Sequence, residues 1–158
     1  MPVNKKGQEK IASCYNFRQM GDYVTTSGVV PGRILKSLAD QGYDVVINLL
    51  PEDDEYAIAS EKEIIESQDI TYIHIPVDFN DPQIADVEDF IQVMDQFHGQ
   101  KIHVHCAANW RVSAFYGLYC VRKGAWKAAE AVKFMTSIWS PGDYPAWIEL
   151  LREYNIVI

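Results

Sequence analysis

The stretch IHVHCAANWRVSAF, residues 102–115, carries the pattern that decides the fold. Residues 102–105 are typical of a short buried strand, and a helical pattern begins at Arg111 and continues to residue 123. Cys106 therefore lies in a loop between the carboxyl end of a strand and the amino end of a helix. In open α/β sheets, ligands bind at junctions of this kind.

Strand and helix patterns alternate along the rest of the chain. The apolar run DVVINLL, residues 44–50, ends at Pro51 and predicts a strand buried on both faces. The predicted strands are 23–26, 44–50, 72–77 and 102–105, and the predicted helices lie between Gly32 and Gly42 and at 55–68, 82–98, 111–123, 126–139 and 145–154. This alternation predicts an α/β three-layer sandwich, in which helices flank a mostly parallel central sheet of about four to five strands.

Length and charge limit the domain count and the partners. A chain of 158 residues suits one domain with a single core. We predict a flexible tail at residues 1–12 and a single catalytic domain at 13–158. The net charge of −8 argues against a nucleic-acid partner, because phosphate backbones are bound by excess Lys and Arg. An anionic ligand would therefore need a local positive site.

The cysteine count bears on the compartment. Three cysteines (Cys14, Cys106 and Cys120) are too few, and odd in number, for a disulfide framework. Reduced thiols predict a cytoplasmic protein, unless a signal peptide has been removed, which the sequence would not record. No segment approaches the length of a membrane span, so no membrane partner is predicted. The sequence is silent on oligomeric state.

The junction after residue 105 suits an anion. Exposed N–H groups and the helix dipole favour negative charge at a helix amino end, and the same field should make Cys106 ionise more readily than a free thiol. Arg111 offers a planar fork that matches two phosphate oxygens. Ser113, at the start of the helix, can hydrogen-bond the sulfur and help it leave.

These residues resemble a known family. The pattern His105-Cys106, Arg111 and Ser113 after the strand IHV is similar to the cysteine-dependent protein tyrosine phosphatase superfamily, in its dual-specificity-like branch. More narrowly, the chain resembles small bacterial phosphatases of an uncharacterised family related to that branch. SGVVPGRILKSLADQGYDVVINLL (27–50) resembles the family's early helix-strand unit. YIHIPVDFNDP (72–82) followed by VEDFIQVMDQ (87–96) resembles its acid loop and next helix.

The resemblance implies phosphoester hydrolysis in two steps without a cofactor or a metal. Cys106 would form a phosphocysteine, and an upstream aspartate would protonate the leaving oxygen and then activate water. The substrate would be a phosphorylated protein or a small phosphoester. The residues implied to hold the phosphate are Ala107, Ala108, Asn109, Trp110, Arg111 and Val112.

The loop departs from the family pattern, in which five residues separate the cysteine from the arginine. Here four residues separate Cys106 from Arg111, and none of them is glycine. Asn109 tolerates the left-handed conformation better than most residues, so we predict that it takes over the role of glycine. Trp110 is predicted to form a wall of the pocket.

The acid is predicted to come from the loop after strand 72–77. Asp81 has a structural role available as the N-cap before Pro82, so we favour Asp78, with Asp81 second and Asp143 third. His105 is predicted to support the loop by bonding its backbone. His103, His105, Cys106 and His74 also suggest a metal site, but these candidate ligands crowd one strand without a spaced partner pair, and we predict none. Cys120 and the tryptophans Trp126, Trp139 and Trp147 are predicted to pack in the core.

Two other functions remain open. A rhodanese-like sulfurtransferase also places a cysteine in a short anion loop, with a basic residue five positions on in some members, and would carry a persulfide on Cys106. A non-catalytic protein would bind phosphate or sulfate through the same loop without turning it over.

Overall fold

The computed structural model describes residues 10–158, so most of the tail predicted at residues 1–12 lies outside the described residues. Ile11 does not belong to a tail, because it is buried in a 3-10 turn at Ile11–Ser13 and packs with the core. The folded part of the chain therefore begins earlier than predicted.

Five strands form the central sheet. They are β1 (Arg18–Gln19), β2 (Val24–Ser27), β3 (Val45–Asn48), β4 (Thr71–His74) and β5 (Ile102–His105). Their order is β1-β2-β5-β3-β4, and only β1 runs antiparallel to its neighbour. The parallel registers pair Ser27 and Asn48 with His105, so three strands end at one level beside Cys106.

Helices cover both faces of the sheet. They are α1 (Gly32–Leu35), α2 (Glu61–Glu66), α3 (Ile84–Gln96), α4 (Trp110–Arg122), α5 (Ala128–Thr136) and α6 (Pro145–Glu153). Alternating side chains of β3 enter two separate cores: Val45 and Ile47 pack with α3 to α6, whereas Val46 packs with α1 and α2. The predicted three-layer α/β sandwich with a mostly parallel sheet is confirmed.

Three predicted helices begin later than the sequence pattern suggests, and the one predicted at 126–139 begins at Ala128. The helix predicted at 55–68 is limited to α2, because residues 51–57 form turns in which the Asp54 carboxylate accepts a hydrogen bond from the Tyr56 N–H. The helix predicted from Pro82 begins at Ile84 with Gln83 as its N-cap, so the N-cap role predicted for Asp81 is wrong. The Asp81 N–H instead donates to the Asp78 carbonyl, which closes a turn before the helix.

Within residues 10–158, no helix combines the length and the apolar character that are needed to cross a membrane.

Candidate active site

Cys106 lies at the floor of the site. It follows β5 directly and is only 1% exposed. Its N–H faces the Ser27 carbonyl at 3.4 Å, which continues the pairing of β5 with β2 for one more residue. The sheet therefore fixes the backbone of the cysteine before the loop turns into α4.

The loop carbonyls point towards the neighbouring strand. The Ala107 carbonyl accepts a hydrogen bond from the Val29 N–H at 3.0 Å, and the Ala108 carbonyl accepts one from Nδ2 of Asn16 at 3.0 Å. This approach requires a glycine at position 28, because a Cβ there would lie 2.5 Å from the Ala107 carbonyl oxygen. The contacts hold the oxygens of the loop on the side of β2.

Asn109 turns the chain into α4. Its φ of 68° and ψ of 9° place it in the left-handed region, which confirms that this asparagine does the conformational work of a glycine. Its side-chain amide donates to the Asn16 carbonyl at 2.8 Å and to Oγ1 of Thr26 at 3.0 Å. The turn is therefore tied to two other segments of the chain.

Most of the amides that follow Cys106 have no partners of their own. The antiparallel bridge between Gly28 and Ala108 directs the Asn109 N–H towards the end of β2, whereas among residues 10–158 nothing accepts a hydrogen bond from the N–H groups of residues 107, 108 and 110–112. Unpaired N–H groups at the amino end of a 13-residue helix are suited to the oxygens of an anion.

Arg111 supplies the positive charge of the site. Its side chain is mostly buried, and its guanidinium lies 5.6 Å from the centre of the Phe79 ring. One nitrogen donates to the Val77 carbonyl at 3.3 Å, and the other lies 3.8 Å from a carboxylate oxygen of Asp54. The cation is thus held between the loops that follow β3 and β4.

Cys106 and Arg111 line the same pocket, which has a volume of 370 Å³. Its other lining residues are Asp54, Tyr56, Phe79, Asn80, Ala107, Ala108 and Trp110. Trp110 lines the pocket, as predicted from its size and place in the loop.

The candidate acids are placed differently from one another. Asp78 is exposed, and its carboxylate accepts a hydrogen bond from the Asn80 N–H at 2.9 Å. Asp81 is exposed in the same loop, and Asp143 is exposed in a 3-10 turn before α6. None of these three lines the pocket, whereas Asp54, which the sequence reasoning did not select, does. The catalytic roles of Asp78 and Asp81 stay predictions.

Ser113 has partners other than the sulfur. Its buried hydroxyl donates to the Trp110 carbonyl at 2.9 Å and accepts a hydrogen bond from the Trp139 indole N–H at 3.0 Å. Trp110 and Trp139 stack with their ring centres 5.3 Å apart, and Phe79 packs against both. Ser113 is thereby part of an aromatic cluster, and its predicted help to the leaving sulfur stays a prediction.

His105 bonds a carboxylate instead of the loop backbone, so that prediction is wrong. Its Nε2 lies 2.5 Å from a carboxylate oxygen of Glu61, and both side chains are almost fully buried. Glu61 comes from the first turn of α2, which packs on the face of the sheet to which His105 points. Sequence reasoning missed Glu61 because it falls on the exposed-looking acidic part of a predicted helix.

The remaining histidines and cysteines have structural surroundings. His103 lies between the Thr25 and Ser27 hydroxyls, both at 2.8 Å, and burial lowers the pKa of its imidazole well below the usual value. Cys120 packs in the core as predicted, and burial raises the pKa of its thiol to about 11. In the described part of the chain, no group of three or more His, Cys, Asp or Glu side chains is arranged to hold a metal ion.

Comparison with known proteins identifies the family. A family model described as "DSP-PTPase phosphatase fused to NAD+ Kinase" matches residues 17–137. This chain belongs to the DSP-PTPase phosphatase family. The resemblance inferred from the sequence is therefore confirmed. Among curated proteins, a search by sequence finds no match to this DSP-PTPase chain.

Solved structures agree with this assignment. The chain is 34% identical to a phosphatase candidate (DUF442) from Shewanella putrefaciens, with 89% of each chain covered and a TM-score of 0.82. A second structure of that protein gives 33% identity, covers 94% of this chain and 97% of the other, and has a TM-score of 0.83. The core catalytic domain of the PP-IP phosphatase SIW14 from S. cerevisiae shares the fold at 14% identity, with 89% and 86% covered and a TM-score of 0.72.

Proposed function

We propose that this DSP-PTPase chain hydrolyses phosphomonoesters through a phosphocysteine on Cys106. The observation that carries the proposal is the shared pocket, where the buried sulfur, the unpaired loop amides and Arg111 converge. Family membership supports a phosphatase, and the geometry supports the roles of these residues.

Two displacements at phosphorus make up the reaction. In the first, the Cys106 thiolate attacks phosphorus, the S–P bond forms and the P–O bond of the ester breaks while an acid protonates the leaving oxygen. In the second, water attacks phosphorus, a base takes its proton, and the S–P bond breaks to release phosphate and thiolate. The sequence resemblance predicts Asp78 as the acid and base, with Asp81 as the other candidate in that loop.

The protein holds the phosphoryl group by electrostatics. The unpaired N–H groups of residues 107, 108 and 110–112 can donate to the equatorial oxygens, whose negative charge the helix dipole of α4 also favours. Arg111 leaves the Val77 carbonyl and forks onto two of these oxygens. Its present bond to that carbonyl, at 3.3 Å, is weak enough for a charged ligand to replace.

The substrate is a phosphorylated protein or a small phosphoester, as the sequence resemblance implies. The aromatic lining of the pocket, from Tyr56, Phe79 and Trp110, supports an aryl phosphate as the test substrate. TpbA from P. aeruginosa, which shares the fold at 14% identity, has been solved in complex with pTyr, and that ligand guides the same choice.

The test is turnover of para-nitrophenyl phosphate and its block by vanadate. We expect Cys106→Ser to abolish turnover, Arg111→Lys to reduce it because Lys cannot form the planar fork, and intact-mass analysis after rapid quenching to find phosphate on Cys106. Cys120→Ser is the matched control, since Cys120 lies in the core and does not line the pocket. Thermal stabilisation by phosphate without turnover of any phosphoester would indicate a binding protein instead.

A sulfurtransferase is the second candidate, and one observation favours it. Only four residues separate Cys106 from Arg111, as in short rhodanese-like loops. Incubation with thiosulfate followed by mass measurement distinguishes the two functions, because a sulfurtransferase would retain one added sulfur on Cys106 and a phosphatase would not.

A further inference from the structure

The pocket of Cys106 offers one positive charge to a ligand. Among residues 10–158, Arg111 is the one basic side chain that lines it. The guanidinium fork matches two oxygens of a single phosphoryl group, and the loop amides are neutral donors. Once one phosphate is bound, a second anionic group of the same ligand finds no further cation on the described walls of the pocket.

Asp54 brings a negative charge to the same pocket. One of its carboxylate oxygens lies 3.8 Å from the Arg111 guanidinium. The other accepts a hydrogen bond from the Tyr56 N–H at 2.9 Å, which fixes the orientation of the carboxylate. The Asp54 side chain is 23% exposed, whereas Cys106 is only 1% exposed, so Asp54 lies nearer to the mouth of the pocket. A ligand that holds its phosphate on Arg111 therefore places the group next to the phosphoester beside a carboxylate.

The turn that carries Asp54 adds further negative charge. Glu52, Asp53 and Glu55 are exposed on either side of Asp54, after the end of β3. Consecutive Cα atoms are about 3.8 Å apart, and charges interact over about 8 Å at physiological ionic strength. The carboxylates of this turn therefore add to the negative potential at the mouth of the pocket. Positive charge close to the phosphoester is attracted there, and negative charge is repelled.

Aromatic side chains form another part of the pocket wall. Tyr56, Phe79 and Trp110 line the pocket, and Tyr56 is 54% exposed. Their rings can stack on an aryl group, and an exposed tyrosine ring also attracts a Lys or Arg side chain through its π face. The wall thus suits an aromatic phosphoester, and the mouth suits a cation beside it.

We propose that the substrate is an aryl phosphomonoester with a cationic neighbour, as in a phosphotyrosine that is flanked by Lys or Arg in a protein. Asp54 is the residue that selects it. The proposal rests on the phosphatase function proposed above and gives its substrate class. The chemistry at Cys106 and Arg111 is unchanged, because Asp54 contacts the group next to the ester and not the ester itself. The same carboxylate disfavours compounds that carry several phosphates close together.

Peptides that differ only in flanking charge test the proposal. Three phosphotyrosine peptides carry Lys, Ala or Glu on both sides of the phosphotyrosine, and kcat/KM is measured from phosphate release. For the wild-type protein we expect the order Lys, Ala, Glu, with the Lys peptide faster than the Glu peptide by about 10-fold or more at low ionic strength. At about 1 M salt the Debye length is about 3 Å, so this ratio should fall to about 2-fold or less.

The variant Asp54→Asn assigns the selection to one residue. Asparagine keeps an oxygen for the Tyr56 N–H and removes the charge, so the ratio of the Lys peptide to the Glu peptide should fall about 5-fold. Asp22→Asn is the matched control, because it makes the same change in net charge at an exposed position before β2, at the opposite edge of the sheet from Cys106. The ratio of this control variant should equal that of the wild type.

Equal kcat/KM for the three peptides, or hydrolysis of none of them, would overturn the proposed substrate class. An unchanged ratio in Asp54→Asn, or the same fall in Asp22→Asn, would show that Asp54 does not select the substrate. Para-nitrophenyl phosphate distinguishes these failures from failure of the proposed function, because it has no flanking group. Turnover of this ester without discrimination among the peptides leaves a phosphatase of another specificity. Absence of that turnover in the wild-type protein would remove the phosphatase function together with the substrate class.

Discussion

The Nε2 atom of His105 donates a hydrogen bond to the Glu61 carboxylate at 2.5 Å, and both residues are buried beneath the loop that carries Cys106. His105 is the residue immediately before the cysteine. Glu61 is the first residue of α2, which belongs to the helical layer formed by α1 and α2. The pair therefore ties the small helical layer to the end of the central strand.

Removing one member of this pair should destabilise the fold. Glu61→Ala leaves a buried imidazole without its partner, and we expect the free energy of unfolding to fall by about 1–3 kcal/mol. Urea denaturation measures the loss. Glu63→Ala, at an exposed position of the same helix, should change stability by less than about 0.5 kcal/mol. Similar midpoints for the two variants would show that the pair contributes little.

Gly28→Ala should displace the loop. The added Cβ would lie 2.5 Å from the Ala107 carbonyl oxygen and 3.0 Å from Cα of Ala108, so backbone must move, at a cost of about 1–3 kcal/mol. We expect a large fall in kcat/KM and weaker vanadate binding. Gly32→Ala is the control, because nothing lies within 4 Å of a Cβ at Gly32. Unchanged vanadate affinity in Gly28→Ala would contradict this account of the loop.

A comparison of two asparagines with the same backbone conformation distinguishes the cost of backbone strain from the effect on phosphate binding. Asn109 and Asn155 have φ values of 68° and 61°. Alanine at either position should cost about 1–2 kcal/mol of backbone strain. Only Asn109→Ala should also weaken phosphate binding, because it removes the bonds to Asn16 and Thr26, while Asn155→Ala should bind phosphate normally. Asn109→Gly should relieve the backbone strain of the alanine variant but should not restore phosphate binding. Thermal shift with and without phosphate measures both effects.

Ser113→Ala should lower stability because it leaves the Trp139 indole N–H buried without an acceptor, at a cost of about 1–3 kcal/mol. Ser137→Ala, which removes an exposed hydroxyl, serves as the reference in the same denaturation experiment. Rapid-quench measurement of enzyme-bound phosphate reports separately on the predicted role at the sulfur. A product burst followed by slow turnover supports that role, and parallel loss of both phases would leave Ser113 a structural residue.

Stability should decrease in mild acid because of His103. Burial holds the pKa of its imidazole well below the ordinary 6.5, so the folded protein keeps it neutral while the unfolded chain binds a proton. The contribution of the neutral His103 imidazole to the free energy of unfolding is therefore complete above pH 6.5. It is lost as the pH falls below that value, and the free energy of unfolding falls by up to about 1.4 kcal/mol per pH unit. His103→Gln should flatten this part of the profile of unfolding free energy against pH. An unchanged slope would place the acid sensitivity elsewhere.

Local patterns were sufficient to predict much of the fold. The alternation of strands and helices predicted the mostly parallel sheet, and residues 102–115 predicted the junction that carries Cys106. Helix starts were less certain where polar turns precede them. The chain before α2 contains acidic residues that also suit a first helical turn, but the turn closed by Asp54 stops the helix from extending backwards. Before α3, the turn between Asp78 and Asp81 has the same effect.

The sequence by itself determined the parts of the site that are neighbours in the chain. The spacing of Cys106, Asn109 and Arg111 places a sulfur, a left-handed turn and a cation around one helix amino end, since these depend on local backbone geometry. Only the tertiary structure decided which carboxylates meet them. Asp54 reaches Arg111 because β3 and β5 are adjacent and parallel, and Glu61 reaches His105 because α2 packs on the face of the sheet to which His105 points. Such contacts join residues more than 40 positions apart, and no local pattern specifies them.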